Sequence, residues 1–284
     1  IMESSMNYGL SVVPLFILMG AFIHRSGISE ELYDASYAWL GQFRGGVAMS
    51  TVFACAGFAA VCGSSLATAA TMGRVAMPPM RKFGYNDGLS TGTIAAGGTL
   101  GIMIPPSVPM VIYAIIVSAD IGALFIAGIL PGLLLVSLFL VAIAILVRVR
   151  PDLGPAGEPL SLGEKFHKSL GVYPVIGHFA IVLGGIYSGI FTPTESAAVG
   201  AVGAYLFALA RGYMRTRAEL MGVLGETVRT TAMIFAILFC GLVMAQFVNL
   251  TGLPFELVEI VTGDTAVISA TALIIGICFI CVIM

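Results

Sequence analysis

Two short stretches carry residues that could do chemistry: Gly63-Ser64-Ser65-Leu66-Ala67-Thr68 and Gly97-Gly98-Thr99-Leu100-Gly101-Ile102-Met103-Ile104-Pro105-Pro106-Ser107. Both set small, hydroxyl-bearing or helix-breaking residues inside segments that otherwise read as apolar helix. Unwound carbonyls and the hydroxyls of Ser64, Ser65 and Thr68 are hard oxygen ligands suited to a small cation. The N–H groups of a helix resuming near Leu66 carry the positive end of its dipole and favour an anion. Gly97–Gly101 opens backbone conformations closed to other residues, and Pro105-Pro106 removes two N–H donors, freeing carbonyls one turn earlier. Ser107 is the next hydroxyl, at the start of the resumed helix. Two such breaks facing each other make a cation site of neutral oxygens beside an anion site. The competing use of small residues is close helix packing, and Gly57, Gly63 and Gly92 are assigned to it.

The segments that must position these breaks are membrane segments. Hydrophobic residues make up 58% of the 284 and charged ones 10%, with a mean hydropathy of +1.03, outside the globular range. Uncharged runs cover Gly45–Gly73, Gly88–Ala119, Ile121–Val147, Ser169–Thr194, Thr230–Phe255 and Thr265–Met284. About 20 helical residues cross about 30 Å of hydrocarbon, so each run can span or dip deeply. In hydrocarbon a broken helix is tolerated only where it is buried in protein or lines a cavity, and transporters use such breaks as binding sites. Nothing in the charge pattern resembles a nucleic-acid-binding patch.

The thirteen Lys and Arg residues constrain the topology. If residues 47–80 form a re-entrant hairpin with its tip at Ser64/Ser65, its limbs of about 15 residues reach the midplane or past it. Spans then run over Leu10–His24, Gly88–Ala119, Ile121–Val147, Ser169–Ile190, Glu195–Ala210 and Thr230–Asn249. Every Lys and Arg except Arg74 falls on one face, which the positive-inside rule makes cytoplasmic. The opposite loops hold Asp120, Glu195, Glu256, Glu259 and Asp264. Arg74, in a hairpin limb, is assigned to snorkelling, with pairing to substrate as the alternative. Between Ser29 and Gln42, Leu32, Ala35, Ser36, Trp39 and Leu40 share a face opposite Glu30, Glu31 and Asp34, the pattern of an interfacial amphipathic helix.

Ser26-Gly27-Ile28-Ser29-Glu30-Glu31-Leu32 matches Thr251-Gly252-Leu253-Pro254-Phe255-Glu256-Leu257 at an offset of 225 (251 minus 26). The first copy follows a span entering the cytoplasm and the second follows one leaving it, the arrangement of an inverted repeat. The fold class expected is an all-α polytopic membrane protein with inverted-repeat architecture, a re-entrant helical hairpin and a broken helix. Residues 1–150 form the first repeat, with a hairpin at about 47–80, a broken span at about 88–119 and a span at 121–147. Residues 151–168 form a cytoplasmic linker, and 169–284 a linking span with an incomplete second repeat. The offset places a second tip just past Met284, so the chain reads as a piece of a longer permease.

The remaining chemistry-bearing residues take structural assignments. Cys55, Cys62, Cys240, Cys278 and Cys281 lie in apolar runs and are read as packing residues. His24 and His167 fall at span edges, and His178 is expected to bond a backbone carbonyl. Thr192-Pro193-Thr194-Glu195 reads as a capping box, with a substrate-gate role for Thr192 and Glu195 as the alternative. Asp120 reads as an N-cap. No His, Asp or Glu pairs with the serines of the breaks, so no activated nucleophile and no enzyme is expected. No titratable group lies in either motif, which favours sodium over protons as coupling ion.

Gly63-Ser64-Ser65-x-Ala67-Thr68, Met77-Pro78-Pro79-Met80-Arg81-Lys82-x-Gly84-Tyr85, Gly101-Ile102-Met103-Ile104-Pro105-Pro106-Ser107 and Phe191-Thr192-Pro193-Thr194-Glu195-Ser196 resemble the large membrane subunit of tripartite ATP-independent periplasmic (TRAP) transporters. The resemblance runs across nearly the whole chain. It implies a bacterial inner-membrane, sodium-driven symporter for organic acids, of C4-dicarboxylate or sialic-acid type, delivered by a periplasmic binding protein. It also implies a small membrane partner subunit and elevator-like movement. Carried over by position, the sodium-site candidates are Ser64, Ser65, Gly98, Thr99, Gly101, Ile102 and Pro105, with Ile102 acting through its carbonyl. The substrate-facing candidates are Ser65, Thr68, Pro106 and Ser107. The rival readings are an ion-coupled carboxylate transporter that needs no binding protein, and an anion channel.

Overall fold

The computed structural model describes residues 8–252 and the short stretches 255–256, 275–276 and 278–279. The regular elements among the described residues are all helices, without strands. After a 3-10 turn at Tyr8–Ser11 come α1 (Val12–His24), α2 (Ile28–Leu40), α3 (Gly46–Cys62), α4 (Ser65–Lys82), α5 (Asp87–Met103) and α6 (Val108–Ile116). Then follow α7 (Ile121–Val149), α8 (Leu162–Leu170), α9 (Tyr173–Tyr187), α10 (Pro193–Ala210) and α11 (Arg217–Leu250). Among the described residues two helices, α7 and α11, are long and apolar enough to cross a membrane by themselves, and up to five spans result if each bent pair counts as one. The bends are 66° between α1 and α2, 41° between α5 and α6, and 45° between α8 and α9. The chain is an all-helical, polytopic membrane protein.

Compactness divides the chain into a first unit, Ile1–Thr231, and a second, Ala232–Met284. At the centre of the first unit stands α3. Val47, Ala48, Val52, Ala54, Cys55, Phe58, Ala59 and Val61 are sealed from solvent while Phe53 is exposed, so most of the helix surface is enclosed by protein. In lipid such a position is held by close packing more than by hydrophobic transfer. Small residues supply that packing: a Cβ on Gly97 of α5 would lie 2.7 Å from Cys55 Sγ, and one on Gly57 would lie 3.1 Å from Leu32 of α2. Gly92, assigned above to packing, has nothing within 4 Å of such a Cβ.

α3 and α4 form a hairpin whose two feet stand together. The loop after α7 ties them: Gly45 N–H donates to Gly154 O at 3.0 Å and Asn86 N–H to Leu153 O at 3.2 Å. Tyr85 joins both feet to that loop, donating its hydroxyl to Pro155 O at 2.8 Å and accepting from Val47 N–H at 3.2 Å. The limbs run 17 and 18 residues, slightly longer than the 15 or so expected, and Pro78 and Pro79 lie inside the last turns of α4. Arg44 adjoins the foot of α3, Arg81 and Lys82 end α4, and Arg148 and Arg150 flank the end of α7.

Two expectations are corrected. Within the segment read as a linker, 151–168, residues 153–157 are bonded to the hairpin feet and to Gly41, and α8 begins at Leu162. Ser161 and Glu164 form a capping box that starts it. α8 then packs on α2, where Lys165 Nζ donates to Gln42 Oε1 at 3.1 Å and Trp39 Nε1 to Ser169 Oγ at 2.9 Å. The helix that carries the span expected at Thr230–Asn249 starts thirteen residues earlier, at Arg217, because charged residues end a hydrophobic run without ending a helix. His178 finds no carbonyl, and its buried Nε2 has no hydrogen-bond partner among the described residues.

The first copy of the matched heptad sits at the turn from α1 to α2. There Ser26 Oγ donates to Ile23 O at 2.7 Å and Gly27 has φ of 77°. In the second copy Thr251 Oγ1 donates to Val248 O at 2.7 Å and Gly252 has φ of 73°. Hydroxyl, acceptor and left-handed glycine all keep the same offset. Leu253, Pro254, Leu257 and Cys281 lie outside the described residues.

Candidate functional site

The tip of the hairpin meets the break in the α5–α6 pair. Cys62 ends α3, Gly63 turns the chain with φ of 61°, and Ser64 in extended conformation opens α4. A Cβ on Gly63 would lie 2.5 Å from Pro106 O, and one on Gly101 would lie 2.6 Å from Ser64 O and 2.8 Å from Ser65 N. Gly98, one turn earlier, faces Ala69 and the Ser65 carbonyl, at 2.7 and 3.3 Å from such a Cβ. Gly63, assigned above to packing, therefore serves both as a left-handed turn and as a point of backbone contact. The two motifs, about 35 residues apart in sequence, are one structural locus.

Four helix ends converge there. α3 and α5 present C-termini at Gly63 and Ile104, and α4 and α6 present N-termini at Ser64 and Ser107. The C-terminal ends are partially negative and suit a cation, while the N-terminal ends suit an anion. Pro105 and Pro106 carry no N–H, so the carbonyls of Gly101 and Ile102 lose the donors a continuous helix would offer. Ser107 Oγ compensates Ile102 O at 2.8 Å. The Pro105–Pro106 peptide is cis.

The candidate side chains differ in how far they are committed. Thr68 is fully buried and donates to Ser64 O at 2.7 Å, and Ser64 Oγ accepts from Ala67 N–H at 3.4 Å. Ser65 is half-buried at the first turn of α4. Ser107 is sealed, and Pro105 and Pro106 are buried with it. Thr99 lies outside this cluster: its side chain is exposed and donates to Ala96 O at 2.7 Å. Ile102 is 39% exposed.

Glu195 and Thr192 stand at the start of α10. The Glu195 carboxylate accepts from Thr192 N–H and Oγ1, both at 2.8 Å, and Thr192 Oγ1 accepts from Glu195 N–H at 3.3 Å. This is a complete capping box with Pro193 in the first turn. Asp120 caps α7 through a 2.6 Å bond from Ala123 N–H.

Sequence reasoning missed a polar cluster beside the hairpin. His24, read as an isolated span-edge residue, lies 2.6 Å from Thr71 Oγ1 through Nδ1 and 2.9 Å from Arg74 Nη2 through Nε2. Arg74, read as a snorkelling side chain, is exposed and bonded to that ring. No local signal marks the pair, which is 50 residues apart. Away from the tip, a cavity of about 700 Å³ lies between α2, α3, α7 and α9, lined by apolar groups such as Leu32, Phe53, Leu140 and Ile176.

The comparisons with known proteins bear on this arrangement. The family model for the tripartite ATP-independent periplasmic transporter, DctM component, matches residues 1–284. The chain belongs to the DctM family of TRAP transporters. A C4-dicarboxylate TRAP transporter large permease protein DctM of Pseudomonas aeruginosa is 39% identical over 260 residues, covering 92% of this chain and 60% of the relative. The ectoine TRAP transporter large permease protein TeaC of Halomonas elongata is 35% identical over 271 residues, 95% of this chain and 62% of the relative. The sialic acid TRAP transporter large permease protein SiaM of Vibrio cholerae is 34% identical over 233 residues, 80% and 53% of the two chains. The chain thus spans about 60% of the first of these curated DctM relatives. The family is one of transporter permease subunits.

Proposed function

We propose that this chain forms part of a sodium-coupled symporter that imports organic acids. The observation that carries the reading is the convergence of four helix ends at Gly63–Ser65 and Gly101–Ser107. Partially negative C-termini and the carbonyls at the helix breaks would hold sodium, and partially positive N-termini at Ser64 and Ser107 would hold a carboxylate. Ser64, Ser65, Gly98 and Gly101, with the carbonyl of Ile102 and the turn at Pro105, are the cation side. Ser65, Thr68, Pro106 and Ser107 are the substrate side. Thr99 fits the cation side through its backbone, since its hydroxyl is engaged elsewhere. Glu195 and Thr192 act as a helix cap and not as a gate.

The hairpin feet and the basic residues beside them face the cytoplasm in this reading, in agreement with the positive-inside rule. The hairpin with the broken helix would move as a unit across a bacterial inner membrane. C4-dicarboxylate, ectoine and sialic acid, named for the relatives, each carry a carboxylate, which suits the proposed anion end. A small membrane subunit and a periplasmic binding protein complete the transporter.

The test is uptake by the full-length permease, reconstituted with its small subunit and binding protein, with and without a sodium gradient at fixed pH. Uptake of succinate, ectoine or N-acetylneuraminate that needs both sodium and the binding protein supports the reading. Uptake indifferent to sodium overturns its cation side, and uptake without the binding protein overturns the tripartite assignment.

A further inference from the structure

Ser64, Thr68, Thr71 and Arg74 follow one another along α4 at spacings of four, three and three residues, which aligns them along one side of the helix. Alongside, α1 passes the tip at Gly20, where a Cβ would lie 2.7 Å from Cys62 O, and ends at His24. The imidazole of His24 sits between Thr71 and Arg74. A guanidinium offers only donors, so Nε2 accepts from Arg74 and the ring proton resides on Nδ1, which donates to Thr71 Oγ1. The ring is thereby neutral, and it aims Arg74 without cancelling its charge.

Arg74 is exposed, and no carboxylate lies within ion-pair distance of it among the described residues. The adjacent cation is treated differently: Arg25 pairs with Glu226 of α11 at 2.9 Å. From α3 the group facing the imidazole is Phe58, edge-on at 6.2 Å. Arg25 is neutralised by Glu226, whereas Arg74 has a neutral imidazole as its partner. Arg74 is also the single charged residue between Ser65 and Met80. Having used Nη2 on His24, the guanidinium retains N–H groups for a planar oxyanion. It lies ten residues beyond Ser64, about 15 Å along the helix axis, farther than one small carboxylate can reach from the tip.

We propose that Arg74 is a second, transient binding point for the carboxylate of the transported anion, between the hairpin tip and its feet, with His24 and Thr71 as positioning residues. This rests on the transport reading above. The anion leaving the partially positive ends at Ser64 and Ser107 would next meet the guanidinium.

The test uses the full-length permease with its small subunit and binding protein, and whichever of succinate, ectoine and N-acetylneuraminate the wild type takes up. Arg74→Gln is expected to lower the maximal uptake rate at least tenfold without changing the half-saturating concentration of binding protein. Arg74→Lys keeps the charge and is expected to stay within about threefold of wild type. On the wild-type protein, the same anion is expected to slow phenylglyoxal modification of Arg74, read by mass spectrometry, where equal chloride does not. Wild-type rates in Arg74→Gln, loss in Arg74→Lys as deep as in Arg74→Gln, or modification unaffected by the anion would each overturn the proposal. The modification experiment decides should the variants fail to insert. A wild type without uptake defeats the transport reading itself, whereas an active wild type beside an equally active Arg74→Gln defeats this inference alone.

Discussion

Gly101 stands against the backbone of Ser64 with no room for a side chain: an added Cβ would lie 2.6 Å from the Ser64 oxygen and 2.7 Å from its carbonyl carbon. The contact is backbone on backbone, so neither side can relieve it by turning a rotamer. It holds the C-terminal turn of α5 against the N-terminus of α4, and the proposed ion and carboxylate positions depend on it.

Gly101→Ala is therefore expected to cost about 1–3 kcal/mol through overpacking. It should also depress sodium-driven uptake at least tenfold, since the two breaks must separate to admit the methyl group. Uptake in proteoliposomes and thermal unfolding of the purified variant measure the two effects.

Gly63 and Gly92 should respond in opposite directions. At Gly63 a side chain meets φ of 61° and the Pro106 oxygen at 2.5 Å, and alanine should destabilise by about 1–2 kcal/mol from the left-handed backbone alone. Gly92 is in the interior of α5 with open space around it, and alanine there should stabilise by about 0.5–1 kcal/mol. Parallel melting curves of the two variants check the contrast.

The capping box at α10 separates a structural from a gating role for Glu195. Thr192→Ala should cost about 0.5–2 kcal/mol, as loss of an N-cap does. The half-saturating substrate concentration should stay at the wild-type value in Thr192→Ala and in Glu195→Gln. A shift of that concentration in Glu195→Gln, at unchanged stability, would restore the gate.

Tyr85 fastens both hairpin feet to one loop. Tyr85→Phe leaves the Pro155 oxygen and the Val47 N–H without their partner, a cost of about 1–3 kcal/mol. Hydrogen exchange should quicken at Val47 and across residues 151–158 while the tip at Ser64 is little changed.

The two breaks were legible because glycine, serine and proline interrupt apolar runs where hydrocarbon tolerates no idle interruption. The caps at Asp120 and Thr192 were legible because a cap is local, set by residues within one turn. Ser161 and Glu164 carry the same signal and could have revealed α8 in what reads by composition as a linker. The start of α11 at Arg217 was hidden because hydropathy reports where lipid begins, not where hydrogen bonding does. The His24–Arg74 pair was illegible, since only tertiary packing of α1 on α4 brings it together. The facing of Gly101 and Ser64 is of the same kind: the motifs announce themselves, but their meeting is a property of the fold.

The central claim is that the hairpin tip and the broken helix together hold sodium, and the most direct measurement is sodium binding to the purified full-length permease by isothermal titration. The account predicts saturable binding in the wild type that weakens at least tenfold in Gly101→Ala and survives in Gly92→Ala. Wild-type sodium affinity in Gly101→Ala would contradict it.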